Sequence, residues 1–307
     1  MGSPAYRFRD RTRPGEQLRF FDVTAADGTT LRAWTNDAEG PTVVLCNGLG
    51  TNAYCWPALL KPDCGVRVVS WNHRGVGGSQ RPADDEAVDI EHFASDAFDV
   101  MDHLGIASAP MMGWSMGVNT IFEAAVSHPE RVDGLFAVGG VPGDTFASML
   151  APLHVPRAAR KPFTVSAARV MKQLGLPLTM LARAVPFDRN LTVALQHSGF
   201  MLPHGDTALV QRAINEFLTT PIDWYMHLAL HSSLHLRVSL SEIDVPTSFV
   251  AGTYDVLASA ADMRTAAART DGDYLELSAS HFLPLEYPDL VHAALLELVA
   301  VSQREAA

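Results

Sequence analysis

Short apolar runs alternate with helical patterns along most of this 307-residue chain. The runs that predict buried strands are 42–46, 66–71, 109–113 and 132–138, and the helical patterns between them are 54–61, 89–104 and 118–127. The pattern at 89–104 is the clearest, because its apolar residues recur every three or four positions with acidic residues on the other face. Strands that alternate with helices form parallel sheets, so we predict a doubly wound α/β fold with helices on both faces of the sheet.

The two ends of the chain extend this pattern. Near the start, runs at 18–24 and 30–34 flank an Asp-Gly turn and predict an antiparallel hairpin. Near the end, the alternation resumes with predicted strands at 247–252 and 274–277 and predicted helices at 259–269 and 290–301.

The stretch between these regions is different. From about Pro142 to about Ser241 the chain shows helical patterns and many prolines but no convincing strand. We therefore predict one α/β core formed by residues 1–141 and 242–307, interrupted by a helical cap or lid at 142–241.

Composition restricts the partners that this chain can have. Residues are 48% hydrophobic and 19% charged, which is enough apolar material for a large core. The net charge of −11 disfavours binding to nucleic acid. The only basic cluster in the sequence is a run near the start, interpreted as a solvated tail with contact to an anionic surface as the alternative; it consists of Arg7, Arg9, Arg11 and Arg13.

Cysteine content and the N-terminal sequence bear on the cellular compartment in which we expect this protein. Cys46, Cys55 and Cys64 are an odd number, match no metal-binding spacing and favour a reducing environment. The polar N-terminus lacks the apolar core of a secretory signal, and no apolar run reaches the ~18 residues of a membrane span. We expect a cytoplasmic protein without a membrane span.

The pentapeptide Gly113-Trp114-Ser115-Met116-Gly117 follows a predicted strand and opens a predicted helix. A serine on such a tight turn has an exposed hydroxyl, and the flanking glycines let neighbouring backbones approach. The helix N-terminus adds positive potential where negative charge develops during catalysis. We predict that Ser115 is a nucleophile; the alternative is an ordinary strand–helix turn.

A serine nucleophile needs a base and a residue that orients the base. Asp255 follows the predicted strand 247–252, and His281 lies in the loop after the strand 274–277. Taken singly, His281 could be a surface or core histidine and Asp255 a helix cap. Asp144, after the strand 132–138, is an alternative acid, although we favour Asp255.

The glycine-rich turn at 47–50 follows the strand 42–46, where it can direct a backbone N–H at a substrate oxygen. We predict an oxyanion hole formed by the backbone N–H groups of Leu49 and Met116. A plain strand-end turn is the alternative.

These motifs together resemble the α/β-hydrolase fold superfamily, in particular its serine esterases and lipases with a helical cap. The resemblance extends from about Leu18 to the last helix and rests on segments 47–50, 72–79, 113–117, 254–255 and 280–282. It implies an eight-stranded, mostly parallel sheet, a Ser115–His281–Asp255 triad, and a cap between the sixth and seventh strands.

The sequence departs from many members of this superfamily at three positions. Asn47 replaces a common His and Asn72 a common Asp, and we expect these changes to alter loop hydrogen bonding rather than to abolish catalysis. Ser115 stands where haloalkane dehalogenases and epoxide hydrolases of this superfamily use a carboxylate, which argues against those branches.

The predicted cap contains His227, His231 and His235 at four-residue intervals. Histidines at this spacing can bind a metal, but no carboxylate accompanies them in the stripe and the proposed chemistry needs none. We predict no metal and no cofactor. An apolar pocket for substrate is predicted from residues of the cap and of the catalytic loops, namely Trp114, Phe146, Met149, Phe200, Trp224 and Phe282.

The predicted function is hydrolysis of a small to medium apolar carboxylic ester through an acyl-enzyme intermediate. The same triad could serve a carbon–carbon bond hydrolase, a lactonase, a thioesterase, an acyltransferase or a perhydrolase. A non-catalytic ligand receptor on the same fold is the alternative from another class.

Overall fold

A computed structural model describes residues 13–185 and 187–305, so Arg7, Arg9 and Arg11 lie outside the described residues. The strands are β1 (Arg19–Thr24), β2 (Thr30–Thr35), β3 (Thr42–Cys46), β4 (Arg67–Trp71), β5 (Ala109–Trp114), β6 (Val132–Val138), β7 (Thr247–Gly252) and β8 (Asp273–Leu277). They form one sheet in the order β1-β2-β4-β3-β5-β6-β7-β8. The pairs β1–β2 and β2–β4 are antiparallel and all other pairs are parallel. The predicted hairpin and the predicted eight-stranded, mostly parallel sheet are therefore confirmed.

Helices connect the parallel strands in the predicted order, except between β3 and β4. They are α1 (Ile90–His103), α2 (Met116–Ser127), α3 (Thr145–Ser148), α4 (Arg157–Gln173), α5 (Gly175–Ala184), α6 (Arg189–Gln196), α7 (Thr207–Phe217), α8 (Ile222–Ser232), α9 (Ala260–Arg269), α10 (Leu283–Glu286) and α11 (Pro288–Glu305). The predicted helix 54–61 is wrong: only the 3-10 turn Ala53–Cys55 forms there. Pro57 lies two residues after this turn and lacks the N–H that would donate a hydrogen bond within a helix.

Alternate residues of each central strand pack on opposite faces of the sheet. Val44 and Met111 belong to an apolar cluster with α1, α2 and α9, whereas Val43 and Met112 belong to a second cluster with α11. This alternation is the two-residue period of a strand, and it confirms the prediction of helices on both faces.

Helices α3 to α8 lie between β6 and β7, and the described residues of 142–241 contain no strand. This helical segment contacts the strand-end loops through a third apolar cluster, in which Leu49 and Met116 pack with Phe146, Trp224 and Leu228. The loops predicted to carry the chemistry therefore lie directly under α3 and α8.

Over the described ranges, no helix has both the length and the hydropathy needed to cross a membrane. Cys46, Cys55 and Cys64 are buried free thiols. Burial raises the pKa of Cys46 and Cys55, that of Cys55 to about 12. These thiols are therefore held in the protonated, unreactive form.

Candidate active site

Ser115 occupies the turn between β5 and α2. Its φ of 56° and ψ of −117° lie in a region that non-glycine residues rarely adopt. The Ser115 N–H donates to the main-chain oxygen of Val138 at 2.9 Å, which anchors the turn to the neighbouring strand. The sequence context thus produces the strained turn that it predicts, with the side chain at the N-terminus of α2.

Glycines on both sides of Ser115 allow this turn to form. A Cβ atom on Gly113 would lie 2.6 Å from the main-chain oxygen of Gly117, and one on Gly117 would collide with the main-chain oxygen of Cys46. A side chain at either position would push the turn away from β3 or from the start of α2.

The side chains of Ser115, His281 and Asp255 form one hydrogen-bonded chain. His281 Nε2 is 2.8 Å from Ser115 Oγ, and His281 Nδ1 is 2.8 Å from Asp255 Oδ2. Because an ionised carboxylate can only accept, Nδ1 carries the proton and Nε2 is left to accept from the serine hydroxyl. His281 and Asp255 are buried, so this polarity is shielded from water.

Asp255 is also held by the backbone of its own loop. Its Oδ1 accepts hydrogen bonds from the main-chain N–H groups of Leu257 at 2.8 Å and Ala258 at 2.9 Å. The alternative acid, Asp144, has a different partner, since its Oδ1 lies 3.0 Å from Lys161 Nζ. The geometry therefore brings Asp255, and not Asp144, to the imidazole.

The turn at 47–50 lies against the serine. A Cβ atom on Gly48 would be 3.4 Å from the Cβ of Ser115. Met116 is the first residue of α2, and the first N–H groups of a helix have no acceptor within the helix. The N–H groups of Leu49 and Met116 thus belong to two segments that meet at the serine, and their role as oxyanion donors stays a prediction.

Five of the six residues predicted to line a pocket separate into two groups. Phe146, Met149 and Trp224 belong to or pack against the third apolar cluster, above Leu49 and Met116. Phe200 and Phe282 form an edge-to-face pair on the other side, with ring centroids 5.4 Å apart and Phe200 exposed.

Trp114 lies behind the imidazole of His281 and is 2% exposed. Its Nε1 donates to the main-chain oxygen of His281, and the two rings are stacked. The pocket prediction missed this positioning contact, because residue type alone does not distinguish a pocket wall from a support.

A second supporting residue, Glu286, was also missed by the sequence analysis. Its carboxylate accepts from the Ser280 N–H at 2.8 Å and the Ser280 hydroxyl at 2.6 Å, directly before His281. It also accepts from the N–H of Leu202 in the helical segment at 2.7 Å. The available signal was an acidic residue within the otherwise apolar stretch 282–287.

The three histidines of α8 and its C-terminal extension divide between two clusters: His227 and His231 lie with Glu86, and His235 lies with Glu91 and Glu123. His227 Nδ1 lies 2.8 Å from Lys172 Nζ, and its Nε2 lies 2.7 Å from the main-chain oxygen of Asp85. Since the ammonium group donates, Nδ1 accepts and Nε2 carries the proton. Both nitrogens of His227 are therefore hydrogen-bonded.

The other two histidines face different carboxylates. His231 Nε2 lies 3.4 Å from Glu86, and burial and the nearby His227 lower the pKa of His231. His235 is buried between two carboxylates, with Nδ1 3.6 Å from Glu91 and Nε2 3.8 Å from Glu123. The two carboxylates therefore approach opposite nitrogens of the same ring.

Comparisons with known proteins concern the fold of the chain. The sequence profile of the α/β hydrolase fold family matches residues 41–169. Epoxide hydrolase A of Mycobacterium tuberculosis is 27% identical over 340 aligned positions, which cover 97% of this chain and 98% of that protein.

Two solved structures share the fold over nearly their whole length. An enol-lactonase from Burkholderia xenovorans superposes with a TM-score of 0.65 at 23% identity, covering 91% of this chain and 100% of that one. A thermophilic esterase from Thermogutta terrifontis superposes with a TM-score of 0.67 at 19% identity, covering 92% and 99%. These matches show that the chain has the α/β-hydrolase fold.

Asn47 and Asn72, the two asparagines that depart from the common pattern of this fold superfamily, both stabilise loops. Asn47 Oδ1 accepts from Trp56 Nε1 at 2.9 Å and from the N–H of Gly48 at 3.2 Å, which fixes the turn beside the serine. Asn72 Nδ2 donates to the main-chain oxygen of Gly77 at 2.7 Å. Both side chains are engaged in loop hydrogen bonds, and neither is hydrogen-bonded to Ser115 or His281.

Proposed function

We propose that this α/β-hydrolase is a serine hydrolase that cleaves carboxylic esters. The observation that carries the proposal is the unbroken hydrogen-bonded chain from Ser115 Oγ through both nitrogens of His281 to Asp255. A hydroxyl aligned on a neutral imidazole that is oriented by a carboxylate is the arrangement that activates serine for attack on a carbonyl carbon.

In the first half of the reaction, Ser115 Oγ attacks the ester carbonyl carbon and its proton passes to His281 Nε2. Asp255 stabilises the resulting imidazolium. The N–H groups of Leu49 and Met116, at the positive end of α2, bind the oxyanion. Collapse of the tetrahedral intermediate breaks the bond to the alcohol oxygen, which leaves with the proton from His281, and an acyl-serine remains.

In the second half, water attacks the acyl-serine and gives a proton to His281. Collapse of this second intermediate releases the carboxylic acid, and Ser115 regains its proton from the imidazolium. Each proton taken up by His281 is returned, so the cycle needs no further group.

We also propose that segment 142–241 acts as a cap that selects the substrate. Phe146 and Trp224 pack over Leu49 and Met116, which places apolar side chains above the proposed oxyanion hole. An apolar ester of small to medium size fits such a lining.

Epoxide opening is the second candidate, because the full-length relative is named an epoxide hydrolase. The nucleophile argues against it. A carboxylate that opens an epoxide forms an ester, which water can hydrolyse, whereas Ser115 would form an ether that water does not cleave at neutral pH. Ester cleavage passes through a hydrolysable acyl-serine and has no such obstacle.

The decisive experiment compares the wild type with Ser115→Ala on p-nitrophenyl esters of increasing acyl length, with a styrene-oxide-type epoxide assayed in parallel. We expect the variant to lose a factor of about 10^4 or more in kcat while its unfolding transition is retained. A fluorophosphonate should label the wild type at Ser115 and leave the variant unlabelled. Retained esterase activity in Ser115→Ala would overturn the proposal.

The same panel distinguishes the other acyl-transfer reactions. Lactones, thioesters, and esters with an added alcohol acceptor test the lactonase, thioesterase and acyltransferase alternatives, and a β-diketone tests carbon–carbon cleavage. Absence of labelling and of turnover on every member would instead favour a ligand receptor.

A further inference from the structure

Helices α4 and α5 turn apolar side chains toward solvent. Phe163 is 62% exposed, Leu176 69% and Met180 64%. Exposed large apolar residues of the two helices and the residue that joins them are Phe163, Val170, Met171, Leu174, Leu176, Met180 and Leu181. Positions 163, 167, 170 and 174 follow helical spacing, so the exposed residues of α4 form a stripe along one side.

The opposite sides of both helices are occupied by the rest of the protein. Val165 and Ala168 of α4 pack in or against the third apolar cluster. Gly175 and Thr179 of α5 face the start of α8, where the Thr179 hydroxyl accepts from the N–H of Ile222 at 2.9 Å. The exposed apolar stripe therefore cannot be covered by rotating either helix, and it exceeds what single surface hydrophobes explain.

The charge of this region is opposite to that of the chain. Between positions 145 and 187 the sequence contains no acidic residue, in a protein whose net charge is −11. The same stretch contains six basic residues, namely Arg157, Arg160, Lys161, Arg169, Lys172 and Arg183. They are spread along the sequence, and the fold gathers them on the two helices that carry the apolar stripe.

A cleft beside α4 is also lined by basic residues. It has a volume of about 990 Å³ and lies between α4 and the end of α8. Its walls combine the apolar Val165 and Leu230 with Arg157, Lys161 and Arg169, and Asp144 in the same wall pairs with Lys161. An apolar surface bordered by cations matches molecules that are themselves apolar with an anionic end.

We propose that the exposed side of α4 and α5 docks on an anionic lipid surface. A helix is held in the plane of a membrane surface when its apolar side chains enter the boundary between headgroups and acyl chains and Lys and Arg lie beside them. Each basic residue near an anionic surface adds electrostatic attraction.

A second copy of this chain fits the same face less well. A symmetric pair would place the face of one copy against the same face of the other. Arg157 is paired with Asp262 and Lys161 with Asp144, but Arg160, Arg169, Lys172 and Arg183 would then oppose the same four residues of the other copy. Like charges across an interface disfavour association. The lipid surface supplies the opposite charge as well as the apolar medium.

Cosedimentation of the full chain with vesicles tests the proposal. Vesicles of phosphatidylcholine alone are compared with vesicles that contain phosphatidylglycerol, each at low and at high NaCl. We expect binding to the anionic vesicles that weakens as salt rises. Two double variants should each weaken that binding at least about tenfold. One is Leu176→Asp with Met180→Asp, and the other is Arg169→Glu with Arg183→Glu.

Matched controls use exposed residues on other helices. Leu290→Asp on α11 and Arg269→Glu with Arg304→Glu should bind as the wild type does. None of these residues belongs to the proposed catalytic machinery, so turnover of a water-soluble ester reports correct folding in every variant. If the aspartate pair fails to fold, the arginine pair alone decides.

Three results would overturn the proposal: no binding to anionic vesicles, equal binding to both lipid compositions, or unchanged binding in both double variants. Light scattering identifies the competing occupant. A wild-type dimer that becomes a monomer in Leu176→Asp with Met180→Asp would assign the face to a second copy of the chain.

Discussion

The indole of Trp114 supports the imidazole of His281 from behind: Trp114 Nε1 donates to the main-chain oxygen of His281 at 3.1 Å, and the ring centroids lie 5.8 Å apart. Trp114, which directly precedes the proposed nucleophile Ser115, thus fixes His281, the residue proposed to activate that serine. This contact joins the turn after β5 to the loop after β8, whose positions in the chain are 167 residues apart.

Trp114→Phe should lower kcat about fivefold with little change in KM, because it keeps an aromatic ring but loses a hydrogen bond worth about 1 kcal/mol. Kinetics across a series of acyl lengths measures this. A uniform loss in kcat indicates positioning of His281, whereas a KM change that depends on acyl length would return Trp114 to the pocket wall, where the sequence analysis placed it.

Glu286→Gln should destabilise the loop that carries His281. All three partners of this buried carboxylate are donors, from Ser280 and Leu202, so an amide NH2 in its place would face a donor. We expect a loss of about 2 kcal/mol in the free energy of unfolding.

The same Glu286→Gln variant should also turn over ester more slowly, because Ser280 directly precedes His281. Urea unfolding and steady-state kinetics measure the two effects. The exposed Glu297→Gln serves as the control and should match the wild type in both. A variant as stable and as active as the wild type would show that Glu286 does not position His281.

Local patterns predict the strands of this fold well, because a buried strand is short and uniformly apolar. The boundaries of β3, β6 and β7 match the apolar runs residue for residue. The helix predicted at 54–61 fails for a local reason too, because Pro57 lacks the N–H that would donate a hydrogen bond within a helix.

Contacts between distant segments explain what the sequence could not predict. The histidine stripe looks uniform along α8, yet its partners Lys172, Glu86 and Glu123 come from three other segments. Order along the chain left both Asp144 and Asp255 open as the acid, and only the distance of Asp255 to the imidazole separates them.

Gly117→Ala should be far more damaging than Gly48→Ala. A Cβ atom at position 117 would collide with the main-chain oxygen of Cys46, which cannot move without disturbing β3. At position 48 the nearest atoms to a Cβ are side-chain atoms of Thr51 and Ser115, at 3.3 and 3.4 Å.

We expect Gly117→Ala to lose about 3 kcal/mol in the free energy of unfolding and Gly48→Ala less than about 1 kcal/mol. Neither glycine has a positive φ, so the comparison isolates the steric contact. Urea denaturation followed by tryptophan fluorescence provides the measurement. Equal losses in the two variants would contradict the account of the strand–helix turn given above.

His73 makes the stability of the fold depend on pH. It is buried against Phe93, with ring centroids 4.7 Å apart, and burial lowers its pKa to about 4 from an ordinary value of 6.5. Above pH 6.5 the imidazole is neutral in both the folded and the unfolded chain, so it contributes no pH dependence there.

As pH falls from 6.5 toward 4, the unfolded chain takes up a proton at His73 that the folded chain does not, and the free energy of unfolding falls by up to about 3 kcal/mol. His73→Phe should remove this part of the slope and leave the contribution of the carboxylates. Urea titrations at pH 7.5, 6, 5 and 4.5 measure the difference between the two proteins. His197→Phe, at an exposed position, is the control and should retain the wild-type slope; a His73→Phe slope equal to that of the wild type would show that His73 is protonated within the folded chain.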